Sequence, residues 1–242
     1  PVDAPKYATT YQHTKKMFDF FESQIGVSYP WQIYRNIPVE DFMYGGMENT
    51  TSTIFNSDYV VDAIAVNDRD YVNVNAHEMA HQWFGNLVTA KSGKDHWLQE
   101  GFATYYALLA EREVYGVDHF YWRMYELAEM IAKDAKDHEN TAVYSEKATT
   151  ITYYQKGAWM LFYLSSQIGE ANFNTVVRNY LNKYAYKNAS TDDFLKEVAN
   201  VAPNFNTDNF KLNWLQNKSF QTKEALFLVQ NSPYVQTYFK IL

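Results

Sequence analysis

His77-Glu78-Met79-Ala80-His81 combines residue types and a spacing that suit metal chemistry. On a helix, residues four apart share a face and lie about 6 Å apart along the axis. Two imidazoles so placed can hold one Zn²⁺. Glu78 sits about 100° around the helix from His77, so it is no simple co-ligand. Its useful place is over the open coordination position, as general base to a water and later as proton shuttle. The alternative is a surface helix with two incidental histidines. A catalytic zinc site takes three protein ligands. The leading third ligand is Glu100, which follows His81 after 18 residues, on the next expected helix and across a break at Gly93. A carboxylate in a first helical turn also stabilises its own helix dipole, and the two roles are compatible.

The elements that must position these groups can be read from apolar periodicity and turn residues. Residues 1–8 read as a Pro-containing linker or cut domain edge, and the chain is expected to be a piece of a longer polypeptide. A helix from Thr9 or Thr10 carries Tyr11, Met17, Phe18, Phe21 and Ile25, with Gly26 as its stop. Pro30 to Val39, and Thr50 to Phe55, read as extended. Tyr59 to Val66 is a strand or a helix lead-in. Asp68 and Asp70 offer caps for the His77–His81 helix. Further helices are expected over Trp97–Tyr115, with Gly116 as stop, then 118–136, 154–168, Glu170–Tyr184, 191–200 and 207–216. Thr191 with Asp192 and Asp193 reads as a cap and first turn. A polar loop fills 137–152, and Ala225–Val229 reads as a strand. The whole is an α+β chain, with a small mixed sheet in the first third and a mostly helical lobe after it. The metal belongs in the cleft between them.

Composition excludes more than it selects. A formal charge of −7 argues against a nucleic-acid binder, which needs a basic face. With no cysteine, metal ligands must be His and carboxylate. No apolar run reaches the roughly 18 residues a membrane span needs. The aromatic sets Phe18, Phe20 and Phe21, and Trp159, Phe162 and Tyr163, read as core. His13, His96, His119 and His138 lack ligand spacing; His96 lies near Glu100 and could approach the cleft, but reads first as an ordinary, partly exposed histidine.

Four motifs in order resemble the aminopeptidase N and leukotriene hydrolase family of gluzincin zinc peptidases. They are Gly45-Gly46-Met47-Glu48-Asn49, then His77-Glu78-Met79-Ala80-His81-Gln82-Trp83-Phe84-Gly85-Asn86 with Glu100, then Tyr154-Gln155-Lys156-Gly157-Ala158, then Phe210 with Trp214-Leu215. The likeness covers about residues 10–216. It implies a thermolysin-like catalytic domain over 9–216, with 217–242 beginning a following segment, and neighbouring domains of a longer polypeptide. It also implies one Zn²⁺ per chain on His77, His81 and Glu100, with Glu78 as base and Tyr154, rather than adjacent Tyr153, donating to the oxyanion. Glu48 is implied to bind a peptide's free α-amine, with the Gly45, Gly46, Met47 and Asn49 tip alongside the substrate. Two positions depart from the family pattern: Gln99 precedes the ligand Glu where Asn is usual, and Ser92-Gly93-Lys94 replaces an aromatic-rich connection. The activity expected is zinc-dependent removal of N-terminal residues. The alternatives are endopeptidase or epoxide-hydrolase chemistry on the same fold, or an inactive excised domain.

Overall fold

The computed structural model describes residues 3–230 and 232–239. After a 3₁₀ turn at Ala4–Lys6, the chain forms α1 (Tyr7–Thr10) and α2 (Thr14–Ile25), then β1 (Arg35–Val39), β2 (Gly46–Met47) and β3 (Ser52–Asn56). Next come α3 (Val72–Ala80), β4 (Val88–Ala90), α4 (Trp97–Tyr115) and α5 (Val117–Asp137). A π-helical turn at Thr152–Lys156 leads into α6 (Gly157–Ile168), followed by α7 (Glu170–Tyr184), β5 (Lys187–Ala189) and α8 (Thr191–Val201). The chain then runs through α9 (Thr207–Phe210), a second π-helical turn at Lys211–Leu215, α10 (Thr222–Gln230) and α11 (Pro233–Phe239).

The first third holds a mixed sheet of order β1-β3-β2, with β1 parallel and β2 antiparallel to β3. In β3 alternate residues Thr53 and Phe55 are buried, as a strand with one face on the core requires. The edge strand β2 is only Gly46–Met47, and its side chains line the cleft. A second, two-stranded parallel sheet joins β4 to β5. β4 lies inside the connection from α3 to α4, expected from sequence as a plain break, and β5 inside the connection from α7 to α8.

The helical lobe packs around α4, which contacts α3, α5 and α6. Almost every residue of α4 from Trp97 to Ala110 is buried, so this helix is apolar all round. The core is dominated by aromatics, with Trp83, Trp97, Trp159, Tyr106 and Phe102 fully buried. Phe84 stacks on Phe102 at 4.6 Å, and Phe102 meets Phe194 edge-on at 5.3 Å. Phe21, Trp159 and Phe162 are core residues, and Phe18, Phe20 and Tyr163 pack against them, as expected.

Several expectations shift. Residues 4–10 are helical rather than loop-like, because Pro5 sits in the first turn, where its missing N–H costs nothing. The first long helix begins at Thr14, after a turn at Tyr11–His13. Only Arg35–Val39 of the expected Pro30–Val39 segment is strand, and Tyr59–Val66 yields 3₁₀ turns instead of a strand. The cap of α8 is Ser190, one residue earlier than read. Its Oγ accepts from Asp193 N while Asp193 returns a bond to Ser190 N. The 207–216 helix is split, with its second half π-helical.

Ala225–Val229 is the clearest correction: it is helical, within α10. Ala225 and Val229, four apart, are buried, while Phe227 between them is 66% exposed. That is a helical face, and a five-residue apolar run cannot be told from a strand by composition alone.

Two glycines set the closest approach in the lobe. A Cβ on Gly101 would lie 3.0 Å from the Gly157 carbonyl carbon, 3.1 Å from its Cα and 3.2 Å from the Tyr153 carbonyl oxygen. The backbones of α4 and α6 therefore touch, one residue after Glu100. Gly101→Ala is expected to lower stability by about 1–3 kcal/mol through overpacking. Chemical denaturation checks this, and an unchanged midpoint would contradict the contact.

Candidate active site

α3 presents His77 and His81 toward α4, which presents Glu100 from its first turn. His77 Nε2 and His81 Nε2 lie 3.1 Å apart, and Glu100 Oε2 is 3.3 Å from the first and 3.2 Å from the second. A tetrahedral Zn²⁺ with bonds of about 2.0–2.1 Å needs donors about 3.3–3.4 Å apart. The trio therefore fits such an ion, and its two-imidazole, one-carboxylate chemistry is a zinc donor set. His81 Nδ1 donates to the Phe84 carbonyl at 2.9 Å. A carbonyl can only accept, so this bond puts the proton on Nδ1 and leaves the Nε2 lone pair facing the other two donors. Phe84 O and Thr104 Oγ1, at 3.5 Å from His77 Nδ1, are the supports that spacing alone could not assign.

The electrostatics reflect close packing of opposite charges. Burial alone would lower the His81 pKa, but its bond to Glu100 and the charges of Glu100, Glu78 and Glu48 raise it to about 9. Burial would raise Glu100, yet His77 and His81 hold it well below the usual carboxylate range. Glu78 is buried, and desolvation pushes its pKa up. The neighbouring Glu48 and Glu100 add to that push, against His77 and His81. A carboxylate shifted upward this way holds a proton more readily than an exposed one.

The Gly45–Asn49 tip lies against the same residues. A Cβ on Gly46 would fall 2.5 Å from Glu78 Oε1, so only glycine lets this strand pass the carboxylate. Gly45, Gly46, Met47 and Glu48 line a cavity of about 420 Å³ together with His77, His81, Glu78, Glu100 and Tyr154. Carboxylate and imidazole donor atoms of Glu48, Glu78 and His81 lie within 4.8 Å of one another. Asn49 is exposed and not among the lining residues; its carbonyl accepts from Ser52 N at 2.8 Å. The tip is anchored from the helix side. Gln82 Nε2 and Asn86 Nδ2 donate to Glu48 O at 3.2 and 2.7 Å, and Gln82 Oε1 accepts from Thr51 N at 2.9 Å. Sequence reading quoted Gln82 and Asn86 without a role. The available signal was two amides directly following a ligand helix.

Tyr154 stacks on His77, with ring centroids 5.4 Å apart and planes 8° apart. Burial first, then Glu100 and Glu78, raise its pKa, so its phenol stays protonated and can donate. Tyr153 turns away, edge-on to His96 at 4.9 Å. His96 is partly exposed and also approaches the cleft. At 40% side-chain exposure its Nε2 still reaches Glu100 Oε1 at 3.5 Å, facing the carboxylate oxygen that the other histidines leave free. Gln99 holds the α3–α4 connection instead of entering the site, its Oε1 accepting from Ala90 N at 2.8 Å.

A sequence model of the peptidase family M1 domain matches residues 9–216. Endoplasmic reticulum aminopeptidase 2 of Homo sapiens is 34% identical over 209 residues, which is 78% of this chain and 21% of that protein. Leucyl aminopeptidase of Saccharolobus solfataricus is 30% identical over 213 residues, covering 83% of this chain and 27% of that one. The chain thus spans only about a fifth to just over a quarter of the length of these relatives. The crystal structure of an M1 zinc metallopeptidase from Deinococcus radiodurans superposes with a TM-score of 0.69 at 23% identity, over 86% of this chain and 44% of that one. A substituted form of that enzyme, bound to a Tyr-Ser-Ala substrate, superposes equally well.

Gln82 is fully buried, so Gln82→Leu strands both the Thr51 N–H and part of the Glu48 carbonyl's bonding. A loss of about 2–3 kcal/mol is expected in a denaturant melt, with faster exchange of the Thr51 amide. A variant as stable as the parent, with Thr51 still protected, would contradict this anchoring.

Proposed function

The chain belongs to peptidase family M1, and from that premise we propose that it is the catalytic domain of a zinc aminopeptidase, removing N-terminal residues from peptides. The single observation carrying this reading is the convergence of the Glu48 carboxylate on the cavity that holds Glu78 and the His77, His81 and Glu100 trio. Residues 9–216 form that domain, and neighbouring domains of a longer polypeptide complete the substrate site.

His77, His81 and Glu100 would hold one Zn²⁺, which when bound would supply Lewis acidity to a peptide carbonyl. The Glu48 carboxylate pairs with the substrate's α-ammonium, which also offsets its repulsion from Glu78. Only a terminal residue brings that cation to the site, so the pairing counts residues from the N-terminus. The Gly45–Met47 backbone lies along the peptide as an added strand. Glu78 takes a proton from the attacking water and delivers it to the leaving amine. The Tyr154 phenol donates to the oxygen on which negative charge develops.

Fluorogenic aminoacyl amides test this directly. Free substrates are expected to be cleaved and their N-acetylated counterparts not. Glu78→Gln is expected to keep bound zinc and lose turnover by about a thousandfold or more, as removal of a general base from a concerted site does. Equal cleavage of free and blocked substrates would point instead to an endopeptidase. Unchanged turnover in Glu78→Gln would remove the mechanism.

A further inference from the structure

The turn that carries Tyr154 ends in a buried charge. Lys156 is the only charged residue between Lys147 and Glu170, and it is 3% exposed. Its Nζ donates to three backbone carbonyls: Thr141 O at 3.2 Å, Asn217 O at 3.2 Å and Lys218 O at 2.8 Å. An ammonium has three donors, and here all are used. No carboxylate pairs with it among the described residues. Burial lowers its pKa to about 8, so it is mostly charged at neutral pH.

A buried cation facing only neutral dipoles carries a desolvation penalty that an apolar side chain of similar length avoids. Packing alone therefore does not explain a lysine here. What the charge accomplishes is position. Thr141 belongs to the polar loop after α5, and Asn217 and Lys218 to the segment after the second π-helical turn. Lys156 draws both onto the last residue of the Thr152–Lys156 turn. On its other side, Gly157 rests against Gly101, next to Glu100. The turn is π-helical, a geometry that occurs as single turns and gains little support from its own backbone. It is held between two external contacts, and Tyr154 sits two residues from one of them, stacked on His77.

We propose that Lys156 is a positioning residue, whose three carbonyl bonds fix the turn that sets the Tyr154 phenol beside His77 and Glu100. The inference rests on Tyr154 as the oxyanion donor. It extends that site to the Asn217–Lys218 segment, outside the matched residues 9–216.

The test uses Lys156→Met and Lys156→Gln, Tyr154→Phe, and the corresponding double variants. The amide of Lys156→Gln keeps two donors and serves if the methionine variant fails to fold. In NMR spectra of ring-labelled Tyr and His, Tyr154 is assigned by its loss in Tyr154→Phe. Both Lys156 variants are expected to shift the Tyr154 and His77 resonances while those of core Tyr106 stay in place. Lys156→Gln is expected to lower kcat by about tenfold or more with little change in KM. It is expected to lower kcat no further in the Tyr154→Phe background, because the two act through one group. Unmoved Tyr154 and His77 resonances in a folded variant, or kcat losses that multiply in the double variant, would overturn the proposal. If Tyr154→Phe alone left kcat untouched, the oxyanion reading would fall, while the resonance shifts would still decide whether Lys156 positions the ring.

Discussion

Three donor atoms on two helices meet at 3.1–3.3 Å: His77 Nε2, His81 Nε2 and Glu100 Oε2. Most of what surrounds them can be read as the means of holding that convergence. Two imidazole lone pairs and a carboxylate oxygen repel at such distances unless a cation or shared protons lie among them. The groups cannot relax apart, because α3 packs against α4, and Ala76 and Ala80 of α3 and Phe102 and Ala103 of α4 are all fully buried. The raised His81 and depressed Glu100 pKa values are the electrostatic expression of that enforced proximity.

The remaining groups are set by close backbone approaches and buried bonds. Gly46 lets a strand edge pass Glu78, Gly101 and Gly157 bring α4 and α6 into contact, and Gly85 takes a φ of +129° beneath His81. A side chain at any of these points would push a chemical group out of place. Polar anchors do the complementary work. Gln82 and Asn86 hold the Glu48 tip, and Lys156 holds the Tyr154 turn. The ligand helix is thus also the fastening point of the strand edge facing it.

Much of this was legible in the sequence. Ligand spacing is a local helical property, so the shared face of His77 and His81, with Glu78 between them, follows from four residues of separation. The α4 and α7 boundaries fell where Gly116 and the Glu170 first turn put them, because caps and stops are also local. What was not legible depends on tertiary partners. The Ala225–Val229 run shows its helical face only once Ala225 and Val229 have a core to enter. Pairing of β4 with β5 joins residues about a hundred apart in the chain. The burial of Lys156 is likewise a long-range outcome, although a lone charge in an otherwise uncharged stretch is a visible hint, whereas the contact of His96 with Glu100 is an i,i+4 pairing that local spacing already contains.

The convergence itself is open to direct measurement. Zinc K-edge X-ray absorption on the chain loaded with one equivalent of Zn²⁺ reads the ligand set without relying on turnover. Two imidazole nitrogens and a carboxylate oxygen are expected at about 2.0–2.2 Å, with one imidazole lost in His77→Ala and in His81→Ala. A chain that takes up no zinc, or a spectrum that neither substitution alters, would contradict it.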